Sequence, residues 1–149
     1  MSYREGVAAL NKTSSFNDSI HAIFKTVAYM QTHYQDKIDM AMLSSMAGLT
    51  ASSYSRLFKK TMKVAPVKYL TMLRIERAKR LLLHDGTPVK EVSAAVGFGD
   101  EFYFSRIFRR IVGITPSRYG QSRALFPTLQ YPPGGSASQT DADDAQHTG

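Results

Sequence analysis

The feature that most constrains this chain is a segment that occurs twice. Residues 54–69, YSRLFKKTMKVAPVKY, match residues 104–119, FSRIFRRIVGITPSRY, at an offset of 50. Shorter segments before them, LSSMAG at 43–48 and VSAAVG at 92–97, match at an offset of 49, so the second copy has one extra residue between its two parts. An internal repeat of this kind predicts two copies of one supersecondary unit.

Each copy has the form of two helices joined by a turn. A short apolar helix ends at a glycine, Gly48 or Gly97, and a longer helix follows, with apolar residues on one face and basic residues on another. This is the pattern of a helix-turn-helix unit, whose second helix enters the DNA major groove. The alternative is an ordinary pair of packed helices. The same basic residues in the same phase of both copies favour a nucleic-acid function.

Helical phase separates the two faces of each longer helix. At about 100° per residue, the spacing predicts one buried stripe on each helix. In the first copy the stripe is Tyr54, Leu57, Phe58 and Thr61, and in the second it is Phe104, Ile107, Phe108 and Ile111. The outward residues are Ser52, Ser55, Arg56 and Lys59, and Phe102, Ser105, Arg106 and Arg109. The equivalent arginines, Arg56 and Arg106, each carry a fork of donors that suits guanine N7 and O6.

The remainder of the ordered chain also has helical periodicity. Apolar residues in the first helix recur at three-and-four spacing: Ile20, Ile23, Phe24, Val27, Met30 and Tyr34. Start signals are expected at Asp18 or Ser19, Asp39, Thr50, Pro66, Pro88, Asp100 and Pro116. The predicted fold class is therefore all-α, with seven helices that include two helix-turn-helix units and a long fourth helix, the linking helix, between them.

Composition suggests where the folded domain begins and ends. Residues 1–16 show no sustained periodicity and are expected to be disordered or a linker, and the acidic tail rich in Pro, Gly and Ser at 126–149 is expected to be disordered. The folded domain is placed at 17–125. Within it, we expect one subdomain at about 18–65, the linking helix at about 66–84 and the second subdomain at about 85–123.

Charge is distributed unevenly along the chain. The net charge is +7, but residues 17–125 hold 17 Lys and Arg against 8 Asp and Glu, while residues 126–149 hold three Asp and no Lys or Arg. A basic domain can concentrate polyanions at its surface. On charge alone, a soluble basic protein that binds no polyanion is an equally good interpretation.

No pattern of residues typical of an enzyme is found. There is no cysteine, and the histidines, His21, His33, His84 and His147, have no paired spacing for a metal. Nucleophile elbows and phosphate-binding glycine loops do not occur either. We therefore expect neither catalysis, cofactor nor metal. Because the chain has no secretory leader and no apolar run near the roughly 20 residues that span a bilayer, a cytoplasmic protein without a membrane partner is expected.

The longer motifs resemble a known family. The linking segment YLTMLRIERAKRLLL (69–83) and the segment VKEVSAAVGFGDEFYFSRIFRRIVGITPSRY (89–119) are similar to the DNA-binding domain of bacterial AraC/XylS-type transcription regulators, which has a homeodomain-like fold. The resemblance covers roughly residues 20–123. It implies that two recognition helices, at about 51–62 and 101–112, enter adjacent major-groove segments of promoter DNA. It also implies transcription regulation at the nucleoid, usually activation through RNA polymerase.

The resemblance also assigns base contacts. Positions that touch bases in the family fall here on Ser52, Ser55, Arg56, Glu101, Phe102, Ser105 and Arg106. The first recognition helix is rich in small hydroxyls, so its direct readout would rest mainly on Arg56. Glu101 and Phe102 stand where polar residues are common in the family. Glu101 could accept from cytosine N4 and Phe102 could pack on a thymine methyl. Alternatively, Glu101 only favours the positive end of its helix, which Asp100 caps.

The remaining basic residues have different expected roles. Residues further along the recognition helices are expected to contact phosphates: Lys59, Lys60, Arg109 and Arg110. Arg74 lies one turn after Leu70, on the inward side of the linking helix. We therefore expect Arg74 to pair with a carboxylate or a backbone carbonyl, not with DNA.

Two rival functions remain. One is a helical protein-interaction module that modulates another regulator without useful DNA specificity, and the other is a basic helix bundle that binds membranes or RNA. Members of the family usually carry a separate sensing or dimerisation domain, for which this chain has no room. The chain is expected to be either a stand-alone regulator or the DNA-binding part of a longer one.

Overall fold

The computed structural model describes the backbone of residues 2–125 and the side chains of residues 15–84 and 86–124. The described backbone forms seven helices: α1 (Ser2–His33), α2 (Met40–Ala47), α3 (Ala51–Met62), α4 (Pro66–Asp85), α5 (Val89–Ala95), α6 (Glu101–Val112) and α7 (Pro116–Leu125). No strand occurs between residues 2 and 125. The predicted all-α class and the number of helices are confirmed.

The first helix begins earlier than predicted. It starts at Ser2 and continues through Asp18 and Ser19, so the start predicted at those residues is wrong. The reason is local, since no glycine or proline occurs between Gly6 and Gly48 and several good helix formers precede Asp18. Residues 2–16, expected to be disordered or a linker, therefore lie within the bounds of α1. The expected disordered tail at 126–149 lies outside the described residues, and the domain bounds remain predictions.

Side-chain caps set the ends of the first pair of helices. The Asp39 carboxylate accepts from the backbone N–H of Met42 at 2.8 Å at the start of α2. Gly48 ends α2 with a left-handed φ of 69°, which glycine adopts without strain. The Thr50 hydroxyl accepts from the N–H of Ser53 at 3.1 Å at the start of α3. All three boundaries were predicted, because each depends on one side chain and its nearest neighbours.

The second pair repeats this geometry. The Asp100 carboxylate accepts from the N–H of Phe102 at 2.9 Å and caps α6. The helices α3 and α6 end at equivalent residues, Lys63 and Gly113, which both have left-handed backbones with φ of 68° and 102°. The left-handed conformation costs a lysine roughly 1–2 kcal/mol and costs glycine nothing. The repeat in sequence is therefore also a repeat in backbone conformation.

The chain divides into two compact units, Met1–Arg74 and Ile75–Gly149, and α4 runs from the first into the second. The core of the first unit consists of Ile23, Val27, Met30, Leu43, Tyr54, Phe58 and Leu70. Its aromatic rings pack in series, with ring centroids 5.7 Å apart for Tyr54 and Phe58 and 5.9 Å apart for Phe58 and Tyr69. Burial of this apolar surface is the main stabilising contribution that this unit has, since the chain has no disulfide.

A hydrogen-bonded pair of hydroxyl groups lies in this core. Thr26 is fully buried, and its hydroxyl donates to the carbonyl of Ile23 at 2.7 Å and accepts from the Tyr54 hydroxyl at 2.8 Å. Burial raises the pKa of Tyr54 above its ordinary value, and the hydrogen bond to Thr26 lowers it by less. Phe24, predicted to point inward, is instead half exposed. The inward face runs through residues 23, 26, 27 and 30, which leaves Phe24 at its edge.

The second unit packs the same way. The ring centroids of Phe104 and Phe108 are 5.7 Å apart, and those of Phe108 and Tyr119 are 5.5 Å apart, at positions equivalent to the aromatic series of the first unit. Phe98, from the turn after α5, adds a further ring 5.1 Å from Phe104. Other buried apolar side chains among the described residues of this unit are Ile75, Ala78, Leu82, Leu83, Val92 and Val96.

Arg74 closes the turn that follows α1. Its Nε donates to the carbonyl oxygen of Tyr34 at 2.6 Å and its Nη2 donates to the carbonyl oxygen of Asp36 at 2.8 Å. Burial lowers the pKa of Arg74 below its ordinary value, though the group stays charged at any physiological pH. The expected structural role of Arg74, with backbone carbonyls as its partners, is confirmed.

Removing this arginine should destabilise the first unit. We expect Arg74→Met to lower the free energy of unfolding by about 1.5–3 kcal/mol, because it removes hydrogen bonds from a charged donor and leaves carbonyls unpaired. The measurement is urea unfolding followed by circular dichroism. Arg80→Met, on the exposed face of the same helix, is the matched control and should change stability by less than about 0.5 kcal/mol. Unchanged stability of the Arg74 variant would contradict this role.

Candidate nucleic-acid interface

The helix α3 turns its predicted contact residues away from the core. Tyr54 and Phe58 are fully buried. On the other side of the helix, Ser52, Arg56, Lys59 and Lys60 are exposed, and Ser55 is partly exposed. The buried aromatic pair therefore fixes which side chains of α3 are available to a ligand.

The helix α6 has the same division. Phe104 and Phe108 are fully buried, whereas Phe102, Arg106, Arg109 and Arg110 are exposed and Glu101 and Ser105 are partly exposed. Phe102 has 76% of its surface exposed, which is unusual for a phenylalanine and makes it available for an apolar contact. The predicted outward faces of both helices are thus present, although contact with DNA stays a prediction for each residue.

The buried stripes are narrower than predicted. Ile107, Leu57 and Thr61 are only partly buried, and Ile111 is 42% exposed. Ile111 lies in the last turn of α6, which ends at Val112, and the fully buried residues of the stripe are Phe104 and Phe108. The prediction that Ile111 belongs to the core is therefore wrong.

The outward basic residues have no acidic partners among the described side chains. No described carboxylate lies within ion-pair distance of Arg56, Lys59, Arg106, Arg109 or Arg110. Unpaired positive charge on one face produces a field that attracts polyanions and raises their association rate. Among the described residues, both recognition helices therefore present basic side chains without an ion-pair partner.

Two basic side chains of the recognition helices, those of Lys60 and Arg106, lie over aromatic rings. The Nζ of Lys60 is 6.0 Å from the ring centroid of Phe16, and the Cζ of Arg106 is 5.7 Å from the ring centroid of Tyr103. Neither aromatic residue was singled out from the sequence. Tyr103 could have been found from its spacing, because it lies three residues before Arg106 and so on the same side of the helix. Phe16 could not, because its segment was expected to be unstructured.

The start of α6 separates the roles of its two acidic residues. Asp100 is the N-cap and makes the capping hydrogen bond, as predicted. Glu101 is the first residue of the helix, where a carboxylate interacts favourably with the positive end of the helix dipole. This position agrees with the dipole interpretation of Glu101, and its contact with cytosine stays a prediction.

An open groove runs along one flank of α3. It encloses about 600 Å³ and is lined by Leu49, Ser53, Arg56, Leu57, Lys59 and Lys60. The two leucines provide its apolar part, and the arginine and lysines are basic groups beside it. None of the described lining residues is aromatic.

The described residues were also searched for other kinds of site. They contain no cluster of three or more His, Asp or Glu side chains that could hold a metal ion. Among the described helices, none has the length and apolar character that crossing a bilayer requires.

Comparison with known proteins gives the class of this fold and surface. The family described as "Helix-turn-helix domain" matches residues 43–122, more than half of the chain. Together with its relatives, this match shows that the chain belongs to the helix-turn-helix family of AraC/XylS-type transcription regulators, as its motifs suggested. That family consists of DNA-binding regulators, not enzymes.

The relatives are longer than this chain. It is 44% identical over 94 residues to the HTH-type transcriptional activator Btr of Bacillus subtilis. The matched segment covers 63% of this chain and 18% of that protein. It is 29% identical over 116 residues to the arabinose operon regulatory protein of Escherichia coli. That matched segment covers 74% of this chain and 40% of that protein. The chain spans less than half the length of these relatives.

Solved structures agree with the fold. The DNA-binding domain of AdpA, a global transcriptional factor, in complex with a target DNA has a TM-score of 0.68 and 28% identity, covering 70% of this chain and 96% of that one. An AraC-type regulator from Chromobacterium violaceum has a TM-score of 0.63 and 26% identity, covering 69% and 92%.

The two acidic residues of α6 should differ in their effect on stability. We expect Asp100→Ala to lower the free energy of unfolding by about 1 kcal/mol, because it removes a capping hydrogen bond. Glu101→Gln should lower it by about 0.3–1 kcal/mol through the helix dipole, and 1 M salt should largely abolish this smaller effect. Both are measured by urea unfolding. No loss in Glu101→Gln at low salt would remove the dipole role and favour a role in base contact.

Proposed function

We propose that this chain is a sequence-specific double-stranded DNA-binding transcription regulator of bacteria that acts as an activator. The observation that carries the proposal is the pair of equivalent helices, α3 and α6, each of which buries an aromatic pair and presents hydroxyl and basic side chains outward. An α-helix fits the major groove of B-DNA, where each base pair presents a distinct pattern of donors and acceptors. The two helices would read two adjacent major-groove segments.

The base contacts follow from the outward residues of each helix. On α3 they are Ser52, Ser55 and Arg56, and on α6 they are Glu101, Phe102, Ser105 and Arg106. Arg56 and Arg106 would each bind guanine N7 and O6 with two donors, and the serines can bond base edges or phosphates. Glu101 would accept from cytosine N4. Phe102 would pack on a thymine methyl and so remove its exposed ring from water.

The phosphate contacts are assigned to the basic residues in the later turns of both helices, Lys59, Lys60, Arg109 and Arg110. All four are exposed and would neutralise DNA charge without distinguishing sequences. The Nζ of Lys60 lies 6.0 Å from the ring centroid of Phe16, which belongs to α1. Of the four phosphate contacts, that of Lys60 should therefore depend most on α1.

The wider function is inferred from the family. An activator of this class would contact RNA polymerase and act in the cytoplasm at the nucleoid, without a cofactor or catalytic activity. Names of relatives support activation: one is a transcriptional activator and another is a lactose operon transcription activator from Staphylococcus xylosus. A sensor or dimerisation domain would be its partner, since the matching regulators are much longer.

Salt dependence distinguishes a DNA-binding regulator from a protein-interaction module. A duplex selected from a random pool should bind more tightly than random duplex at every salt concentration. With about six phosphate contacts, the affinity should fall roughly a thousandfold between 50 and 200 mM salt. The reason is that binding releases counterions from the DNA, and this release becomes less favourable as the salt concentration rises. Fluorescence anisotropy with both duplexes measures this. Equal binding of both at all salt concentrations would favour the interaction module or a nonspecific polyanion binder.

Substitution of one residue from each assigned class tests the residue roles. Arg106→Ala should cost about 1–3 kcal/mol on the selected site and relax the preference at one base pair, because the guanine contact is lost. Lys59→Ala should weaken all sequences alike and reduce the salt dependence by about one phosphate contact. Repeating the selection with each variant measures the preference. If Arg106→Ala weakened every duplex equally, Arg106 would be a phosphate contact.

A further inference from the structure

The two recognition helices differ along one flank. Beside Arg106, the ring of Tyr103 lies 5.7 Å from the guanidinium carbon, and the ring of Phe98 lies 6.1 Å from that of Tyr103. The equivalent residues of the first copy are Leu49 for Phe98, Ser53 for Tyr103 and Arg56 for Arg106. These three line the open groove of about 600 Å³ beside α3. The groove thus lies on the flank that carries aromatic rings in the second unit.

The rings beside Arg106 connect it to the core. Phe98 is 8% exposed and packs on fully buried Phe104, with ring centroids 5.1 Å apart. Tyr103 is 44% exposed and bridges from Phe98 to the guanidinium group of Arg106. The face of an aromatic ring attracts a cation through its quadrupole, and a guanidinium group is favoured because it is planar and weakly hydrated. Arg106 is therefore held on a surface that the core itself positions.

No ring of a described residue lies over Arg56. Among the described residues it lines the groove with Ser53 and Leu57, neither of which has a ring to hold a guanidinium group. An arginine must give up the freedom of a long side chain to form two hydrogen bonds with guanine. A side chain that is already restricted before binding loses less conformational entropy when it binds. Its contact with the base is therefore tighter and discriminates better between base pairs.

We propose that Tyr103 is a positioning residue that pre-organises Arg106, and that α6 is consequently the more selective of the two recognition helices. The helix α3, whose Arg56 lines an open groove, contributes affinity with a broader tolerance of base pairs. This inference rests on the proposed DNA-binding function and adds to it a division of labour between the two copies.

The first test removes the ring. Tyr103→Ser, which installs the residue of the first copy, should weaken binding to the selected duplex about two- to fivefold, as expected for loss of an exposed cation–π contact. In a repeated selection it should relax the preference at the base pair that Arg106→Ala also affects. Tyr103→Phe keeps the ring and should retain wild-type preference. If Tyr103→Phe behaved like Tyr103→Ser, the hydroxyl would be responsible and the proposal would fail.

A structural defect would have a different outcome from lost positioning. Because Tyr103 also packs on Phe98, each variant is checked by urea unfolding. In a folded variant, an equal loss on selected and random duplexes would overturn the proposal, since positioning of a base contact must change preference at its own base pair.

The reciprocal substitution tests the proposal by adding a ring to the first copy instead of removing one from the second. Ser53→Tyr, alone and with Leu49→Phe, should place rings in the groove beside Arg56 and sharpen the preference at one base pair of the first segment. An unchanged preference there, in a folded variant, would overturn the proposal. These results are separate from the proposed function: if wild-type protein selected no sequence at all, it would be the proposed function that failed.

Discussion

The structure depends on two aromatic side chains spaced four residues apart in each recognition helix, Tyr54 and Phe58 in α3 and Phe104 and Phe108 in α6. All four are fully buried. A helix that buries two large rings on one side cannot rotate about its axis without exposing them, which would cost several kcal/mol. The opposite side is fixed as a result, and with it the set of residues that face a ligand. Caps and turns only decide where each helix begins and ends.

This constraint explains how two copies of one unit can diverge in function without diverging in fold. The buried rings keep the same spacing and nearly the same centroid distances in both units. The copies differ beside the arginines that would read bases, with Leu49 and Ser53 in one and Phe98 and Tyr103 in the other. Ser53 and Tyr103 are not part of the buried ring pairs, so the copies can differ there while the same rings stay buried.

Most of the fold could be predicted from the sequence because its determinants are local. Asp39, Thr50 and Asp100 cap their helices through neighbouring N–H groups, and helical phase placed Arg74 inward. Predictions failed for the start of α1 and for Ile111. No stop signal upstream of Asp18 marks the start of α1 at Ser2, and Ile111, in the last turn of α6, is 42% exposed despite its inward phase. The contact between Tyr103 and Arg106 is local in spacing, but its anchor is Phe98, which comes from a separate turn.

Arg74 joins the turn that follows α1 to the middle of α4 by hydrogen bonds to two backbone carbonyls. Carbonyl acceptors do not depend on which residues occupy the turn, so this joint tolerates sequence drift at positions 34–36. The same two bonds tie the turn after α1 to α4, so the position of that turn depends on a charged donor whose partners are part of the main chain.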